Sequence, residues 1–238
     1  NLVMNFNNVE KTKLVNSIFT DVHQKYDLMN DILSLGIHRI WKKNLIYWMK
    51  PSSYDKIIDV ASGTGDLAKL CSQKNNNKNE ISCVEPNPEM LLAGKEKLKS
   101  YENISWFKAY AENLPFRDNI FDIYVISFGI RNTSDIKKTL KEAHRVLKVG
   151  GRFYCLEFSK VENELLKTIY NQYFKIIPKI GKFVVGSEKP YKYLTESIKK
   201  FHDQNHLKDL IQENGFSNVE YRNLSNGVAA IHMGWKIY

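Results

Sequence analysis

Apolar side chains recur at helical spacing through the first fifth of the chain. Leu14, Val15, Ile18, Phe19 and Val22 form one stripe, and Ile37, Ile40, Trp41, Leu45 and Trp48 form another. This is the rhythm of helices that bury one face. Between the stripes, Tyr26-Asp-Leu-Met-Asn-Asp31 reads as a turn and a cap rather than a continuous helix. Pro51 and the serines after it stop the segment, so residues 1–50 are expected to form an N-terminal helical cap.

From Lys56 the rhythm changes. Short apolar runs at Ile57–Val60, Ile81–Val84, Ile104–Lys108, Ile120–Ile126 and Arg152–Phe158 predict strands. Helices are expected from about Asp66, over Pro86–Ser100 and over about Asp135–Leu147. Such alternation makes a mostly parallel sheet with helices on both faces. The end differs, because Ser217–Leu224 and Val228–Tyr238 are strand-like and joined by Ser225-Asn226-Gly227. Asn-Gly is a strong hairpin signal, so the sheet is expected to close with antiparallel strands. Residues 161–202 read as a helical insertion that covers one end of the sheet, on the substrate side. The tract Lys74–Asn79 reads as an exposed polar loop. The expected fold is α/β and Rossmann-like, a single domain over residues 1–238.

Composition narrows the classes. No apolar run approaches the ~20 residues that span a bilayer, and the 43% apolar and 26% charged fractions are ordinary for a globular chain. Cys71, Cys83 and Cys155 are far apart and odd in number, with neither a disulfide framework nor zinc spacing, which points to a reducing compartment. The chain opens on Asn1, so any upstream targeting segment is not read from it. The net charge of +9 is partly concentrated: ten lysines face five acids from Lys160 to Lys208. That excess suits an anionic surface, although a solvated lysine-rich face is the plainer reading. It is mostly Lys and shows no RNA-binding module, so nucleic acid is not expected as a partner.

In an open parallel sheet, ligands bind beyond the carboxyl ends of the strands, where strand order reverses. The first strand runs through Asp59 into Ala61-Ser-Gly63-Thr64-Gly65. Gly63 and Gly65 let backbone approach a ligand, and the helix that follows offers unpaired amides. Glu85 ends the second strand, where a carboxylate can accept from both hydroxyls of a ribose. Gly63–Ala68 also fits the permissive G-x-G-x-x-A pattern, a weak match that a ligand-free turn would satisfy too. Asp59 separates the nucleotides. It would repel a pyrophosphate but could hold the ammonium of a methionine moiety, so acids on both sides of the loop favour S-adenosylmethionine over NAD.

Several segments together resemble the ubiquinone/menaquinone biosynthesis methyltransferase family. They are Tyr26–Lys42, Asp59–Ala68, Ala111–Phe116, Ser127–Asn132, Arg145–Phe153 and Ala229–Lys236, in order, from about residue 19 to 236. The resemblance implies a seven-stranded class I methyltransferase sheet, with S-adenosylmethionine as cofactor and S-adenosylhomocysteine as product. With Asp59, Gly63 and Gly65 of the loop, the implied cofactor residues are Thr64, Glu85 and the adjoining Pro86, the Tyr110-Ala111 pair, and Ser127. Three positions depart from the family pattern: Ser62 replaces Gly, Tyr110 replaces an Asn or Asp that would contact adenine, and His202 replaces Pro.

The implied reaction is C-methylation of a polyprenylated methoxybenzoquinol in ubiquinone biosynthesis. Demethylmenaquinol is the alternative substrate, and an RNA or small-molecule methyltransferase on the same fold is the runner-up. The implied setting is peripheral contact with an anionic membrane, on the matrix side of a mitochondrial inner membrane, with a bacterial cytoplasm as the alternative. A multi-subunit ubiquinone biosynthesis complex is an expected partner, and a homodimer is admitted.

Transfer of a methyl group to carbon needs an aligned displacement, a base for the quinol hydroxyl and a positive group near the phenolate. Arg131 is the candidate charge and Asn132 the candidate that orients the hydroxyl or a water. Tyr26 and His38 are candidates for the rest of the polar wall. Plainer readings stand beside each: Asn132 capping a helix, Arg131 pairing with a carboxylate, Tyr26 packing, His38 and His232 structural. His202 and His206 share a four-residue spacing without an intervening Glu, so no metal site is expected. Ile169, Tyr170, Tyr173, Phe174, Ile176, Ile177 and Ile180 make an apolar stripe among lysines. It suits core packing, an isoprenoid groove or a membrane-lying helix.

Overall fold

A computed structural model describes residues 8–22, 26–185 and 188–238, without the side chains of residues 8, 9, 19, 21, 22, 26, 27, 29, 33 and 183–185. Three helices come first: α1 (Asn8–Val22), α2 (Tyr26–Ser34) and α3 (His38–Met49). Strands β1 (Lys56–Val60), β2 (Glu80–Val84) and β3 (Ile104–Phe107) follow, with α4 (Asp66–Lys74) and α5 (Pro88–Lys97) between them. Next come β4 (Phe121–Ser127), a 3-10 turn at Ile130–Asn132, α6 (Ile136–Val146) and β5 (Leu147–Phe158). The chain ends through α7 (Glu164–Val185), α8 (Lys189–Lys200), α9 (Gln204–Glu213), β6 (Ser217–Leu224) and β7 (Ala229–Trp235).

The seven strands form one sheet in the order β3-β2-β1-β4-β5-β7-β6, with β7 antiparallel to both neighbours. Order reverses between β1 and β4, which pair in parallel. Side chains alternate across the sheet. Ile57 of β1 joins Trp41, Leu45, Leu67 and Val125 in one core layer, while Ile58 and Val60 join Tyr124, Leu140 and Ile211 in the other. Burial on both faces is why these strands read as unbroken apolar runs. The hairpin forms at Ser225-Asn226-Gly227, where all three φ angles are positive. Only glycine fits the third place, because a Cβ on Gly227 would stand 2.5 Å from the Lys160 carbonyl.

Four expectations need correcting. Tyr26–Asp31 is helix rather than turn, and the chain turns instead at Leu35 and Gly36, with φ of 51° and 75°. α9 was not foreseen, and His202 precedes it instead of sharing its face with His206; the two rings stack at 4.2 Å. β5 begins five residues before Arg152, at Leu147. The Asn-rich tract is not simply an exposed loop. Asn79 is fully buried, and its amide donates to the Ser52 and Asp55 carbonyls while Asn75 donates to that of Pro51. The amides thereby satisfy backbone oxygens of the turn leading into β1.

The helical insertion packs at the carboxyl ends of the strands. α7 and α8 pack on each other, α7 touches α2, and α8 touches α1 and the 3-10 turn. The three cysteines are buried and free. Among the described residues no helix is long and apolar enough to cross a membrane, and no cluster of three metal-ligating side chains occurs.

Candidate cofactor and substrate cleft

The loop after β1 lies at the reversal of strand order. Ala61, Gly63 and Gly65 all take positive φ, with Gly65 at 82° opening α4. A Cβ on Gly65 would meet Leu98 at 2.7 Å and Trp106 at 3.0 Å, so this glycine serves the packing beneath the loop. Ser62 lies outside the left-handed region, which is why a side chain is tolerated there.

Glu85, at the end of β2, is buried and anchored by two amides. Gly63 N–H donates to its Oε2 at 2.9 Å and Asn87 N–H to its Oε1 at 3.0 Å. A carboxylate carries about four lone-pair sites, so two remain for a ligand's hydroxyls. Burial pushes its carboxyl up to about 7 against those amides. Asn87 then caps α5 through the Glu89 and Met90 amides, which fixes the position of the whole turn.

Asp59 points into the same region from β1. It is buried, and its Oδ2 has no hydrogen-bond partner. Burial raises its carboxyl to about 7, opposed by Lys42 and the Ala68 amide. A buried orphan oxygen on a carboxylate is costly unless something cationic or hydrogen-bonding completes it.

These groups line two adjoining hollows that share Ala61 and Phe128. One is bounded by Gly63, Glu85, Pro86, Tyr110, Ala111 and Asn132, with Val15 and Asn16 of α1 closing it from above. The other is bounded by Asp59, Thr64, Ser127, Lys42 and Asn30. Every cofactor candidate except Gly65 therefore borders one continuous cleft. α1 is fastened over it: Asn16 donates to the Tyr110 hydroxyl at 3.0 Å, Asn87 donates to Thr20 and to the Asn16 carbonyl, and Lys11 reaches the Arg131 and Thr133 carbonyls. Tyr110 thus engages α1 through its hydroxyl where the family pattern has an adenine contact.

The reaction-centre candidates are placed unevenly. Asn132 borders the cleft, and its Oδ1 accepts from the Tyr193 hydroxyl of α8 at 3.0 Å. It does not cap α6, whose cap is Asp135. Arg131 is buried away from the cleft wall, its Nη1 donating to Glu157 Oε1 at 2.6 Å and to the Phe128 carbonyl at 2.7 Å. Its Nε has no partner, and the side chain borders a neighbouring hollow with Leu14, Tyr193 and Phe201. His38 is buried with Nε2 2.8 Å from Asp31 Oδ1, and it is not among the residues bordering the cleft. Arg39 and His38 hold the Asp31 carboxyl at about 2 against its partial burial, so the aspartate is ionised and the His38 Nδ1 is left as an unpartnered acceptor. The side chain of Tyr26 lies outside the described residues. His232 is buried and bonds the Gln204 carbonyl, a structural contact.

Lys42, Asn16, Glu157 and Tyr193, at or behind this cleft, were not among the site residues expected from the sequence. Glu157 alone had a visible signal, as a lone acid inside the apolar run of β5.

Comparison with known proteins gives the family. Residues 6–236 match the model of the ubiE/COQ5 methyltransferase family. The "Ubiquinone/menaquinone biosynthesis C-methyltransferase UbiE" of Rickettsia prowazekii is 49% identical, over 98% of this chain and 97% of its own length. The protein of the same name from Bartonella tribocorum is 46% identical, over 96% of this chain and 90% of its own length. A solved SAM-dependent methyltransferase from Thermotoga maritima superposes with a TM-score of 0.67 at 20% identity, covering 93% of this chain and 99% of its own, a likeness of fold alone. These relatives are bacterial, which fits the bacterial alternative and gives the mitochondrial address no support.

Proposed function

Because the chain belongs to the ubiE/COQ5 methyltransferase family, we propose that it methylates a ring carbon of a polyprenylated methoxybenzoquinol in ubiquinone biosynthesis. Its cofactor is S-adenosylmethionine. The observation that carries this reading is the pair of buried acids at the strand-order reversal: Glu85 with two lone-pair sites left, and Asp59 with an orphan oxygen. The first suits a ribose diol and the second an ammonium. The cofactor, when bound, supplies an electrophilic methyl group on a sulfonium.

The remaining chemistry falls to the chain. Asn132, held by Tyr193, orients the quinol hydroxyl at the cleft wall. Arg131, whose side chain borders the neighbouring hollow, contributes its positive charge to a developing phenolate from behind that wall rather than by a direct hydrogen bond. His38, sealed from the cleft and bonded through Nε2 to ionised Asp31, is assigned to positioning the polar wall from behind. Tyr26 is assigned to the same polar wall.

A lipid-soluble substrate calls for access from a membrane. On α7, Leu165, Ile169 and Ile176 are more than half exposed and fall on one ridge, beside the exposed lysines Lys175, Lys179 and Lys182. Such a face suits an anionic membrane surface. A multi-subunit biosynthetic complex and a homodimer remain compatible partners.

Demethylmenaquinol is the second reading, since the two branches of the family share every motif quoted above. Transfer of labelled methyl to short-tailed benzoquinol and naphthoquinol analogues, both chemically reduced, tests the choice. Labelling of the naphthoquinol alone would overturn the benzoquinol assignment. Labelling of neither would overturn the reaction.

A further inference from the structure

Lys42 is an unusual lysine. It lies on α3 of the N-terminal cap, one turn beyond His38, yet its side chain is only 10% exposed and its tip borders the cofactor cleft. Taking an ammonium out of water is costly unless carboxylates complete its bonding. One carboxylate is present: Lys42 Nζ donates to Asp66 Oδ2 at 3.1 Å. Asp66 also holds a second cation, since Lys97 Nζ donates to its other oxygen at 2.6 Å. Burial raises the Asp66 carboxyl, but the two lysines win and hold it well below the usual range. Asp66 is thus shared by two cations, and an ammonium with three donors keeps capacity on its cleft side.

Across the same hollow stands Asp59. Lys42 is the largest influence opposing the burial that raises the Asp59 carboxyl, so the two charges sense each other. They do not touch, because Asp59 Oδ2 has no partner and no ion pair joins it to Lys42. An ammonium and a carboxylate therefore face one small hollow, walled by Asn30, Thr64, Ser127 and Phe128, without neutralising one another directly. That is the complement of an amino-acid zwitterion, whose own carboxylate and ammonium would each meet the opposite charge.

We propose that Lys42 receives the α-carboxylate of the cofactor's methionine end while Asp59 takes its ammonium. The proposal rests on the S-adenosylmethionine reading above, and it makes the N-terminal cap part of the cofactor site as well as its cover. The competing role is purely structural, with Lys42 offsetting the Asp59 and Asp66 charges so that the loop can fold.

Calorimetry on the full chain separates the two roles. The ligands are S-adenosylhomocysteine and its decarboxylated analogue, which keeps adenosine and ammonium but lacks the carboxylate. In Lys42→Met, affinity for S-adenosylhomocysteine should fall by about 10- to 100-fold, the worth of one charged hydrogen bond. Affinity for the decarboxylated analogue should stay within about threefold of wild type, on the same scale. Lys42→Gln, which keeps a donor and most of the length without the charge, should show the same selective loss and serves where the methionine variant does not fold. Equal losses for the two ligands, or none for either, would overturn the proposal and leave Lys42 structural. A wild-type chain that binds neither ligand would overturn the cofactor reading, and this proposal with it.

Discussion

Arg131 Nη1 and Glu157 Oε1 meet at 2.6 Å in the interior, with side chains 3% and 1% exposed. Removing one partner of such a pair leaves a buried charge uncompensated and costs about 3–5 kcal/mol. Arg131→Ala should therefore melt early as well as turn over slowly, and the two effects must be separated. The double variant Arg131→Met, Glu157→Gln removes both charges and should recover most of the melting temperature. If Arg131 stabilises the phenolate, turnover of that double variant stays ~100-fold or more below wild type, the scale of one lost oxyanion donor. Recovery of both turnover and melting temperature would show that the pair serves only the fold.

Glu85→Ala removes the acceptor of two backbone amides and of the proposed ribose diol. S-adenosylhomocysteine affinity, measured by calorimetry, should drop by about 1.5–3 kcal/mol. An unchanged dissociation constant would take Glu85 out of the site.

Asp59 and Glu85 give the protein a pH signature. Both carboxyls are raised by burial to about 7 in the ligand-free fold, against ~4 in an unfolded chain. Their contribution to stability is fully present below ~4 and is lost as pH rises through about 7. An ammonium at Asp59 and hydroxyl donors at Glu85 favour the ionised forms, so ligand relieves that loss. The gain in melting temperature on adding S-adenosylhomocysteine should thus widen from about pH 5 to about pH 8. A gain that is flat or shrinks over that range would show that neither carboxylate meets the ligand.

The exposed ridge of α7 can be tested on vesicles. Binding to anionic liposomes should weaken with salt through Lys175, Lys179 and Lys182, and Ile169→Glu with Ile176→Glu should abolish it. Equal binding to neutral vesicles, or indifference to both changes, would remove α7 as the contact.

The central strands were legible because they are buried on both faces, and the closing hairpin because Asn226-Gly227 leaves few other conformations. The placement of Asp59 and Glu85 at the cleft was legible for a topological reason: both end strands beside the reversal of order, where open sheets leave a crevice. The failures share a cause, which is that polar residues can be spent on tertiary contacts. Asp31 reads as part of a cap, yet its carboxylate is taken by His38 and Arg39, and α2 continues through it. Asn75 and Asn79 read as loop, yet they bond the turn before β1. Lys42 enters the sequence reading only as the end of a family-like segment, and Asp59 and Asp66, on other elements, reveal what it faces.

The fastening of α1 over the cleft bears on timing. On the proposed reading, a nucleoside seated between Val15, Asn16 and Glu85 lies under α1, which the Asn16–Tyr110 and Asn87–Thr20 bonds hold in place. Release of spent product would then be limited by how readily α1 lifts from the rim, whatever its equilibrium affinity. Residence time and affinity become separately adjustable, the first by the strength of a few side-chain bonds at the rim and the second by the acids below.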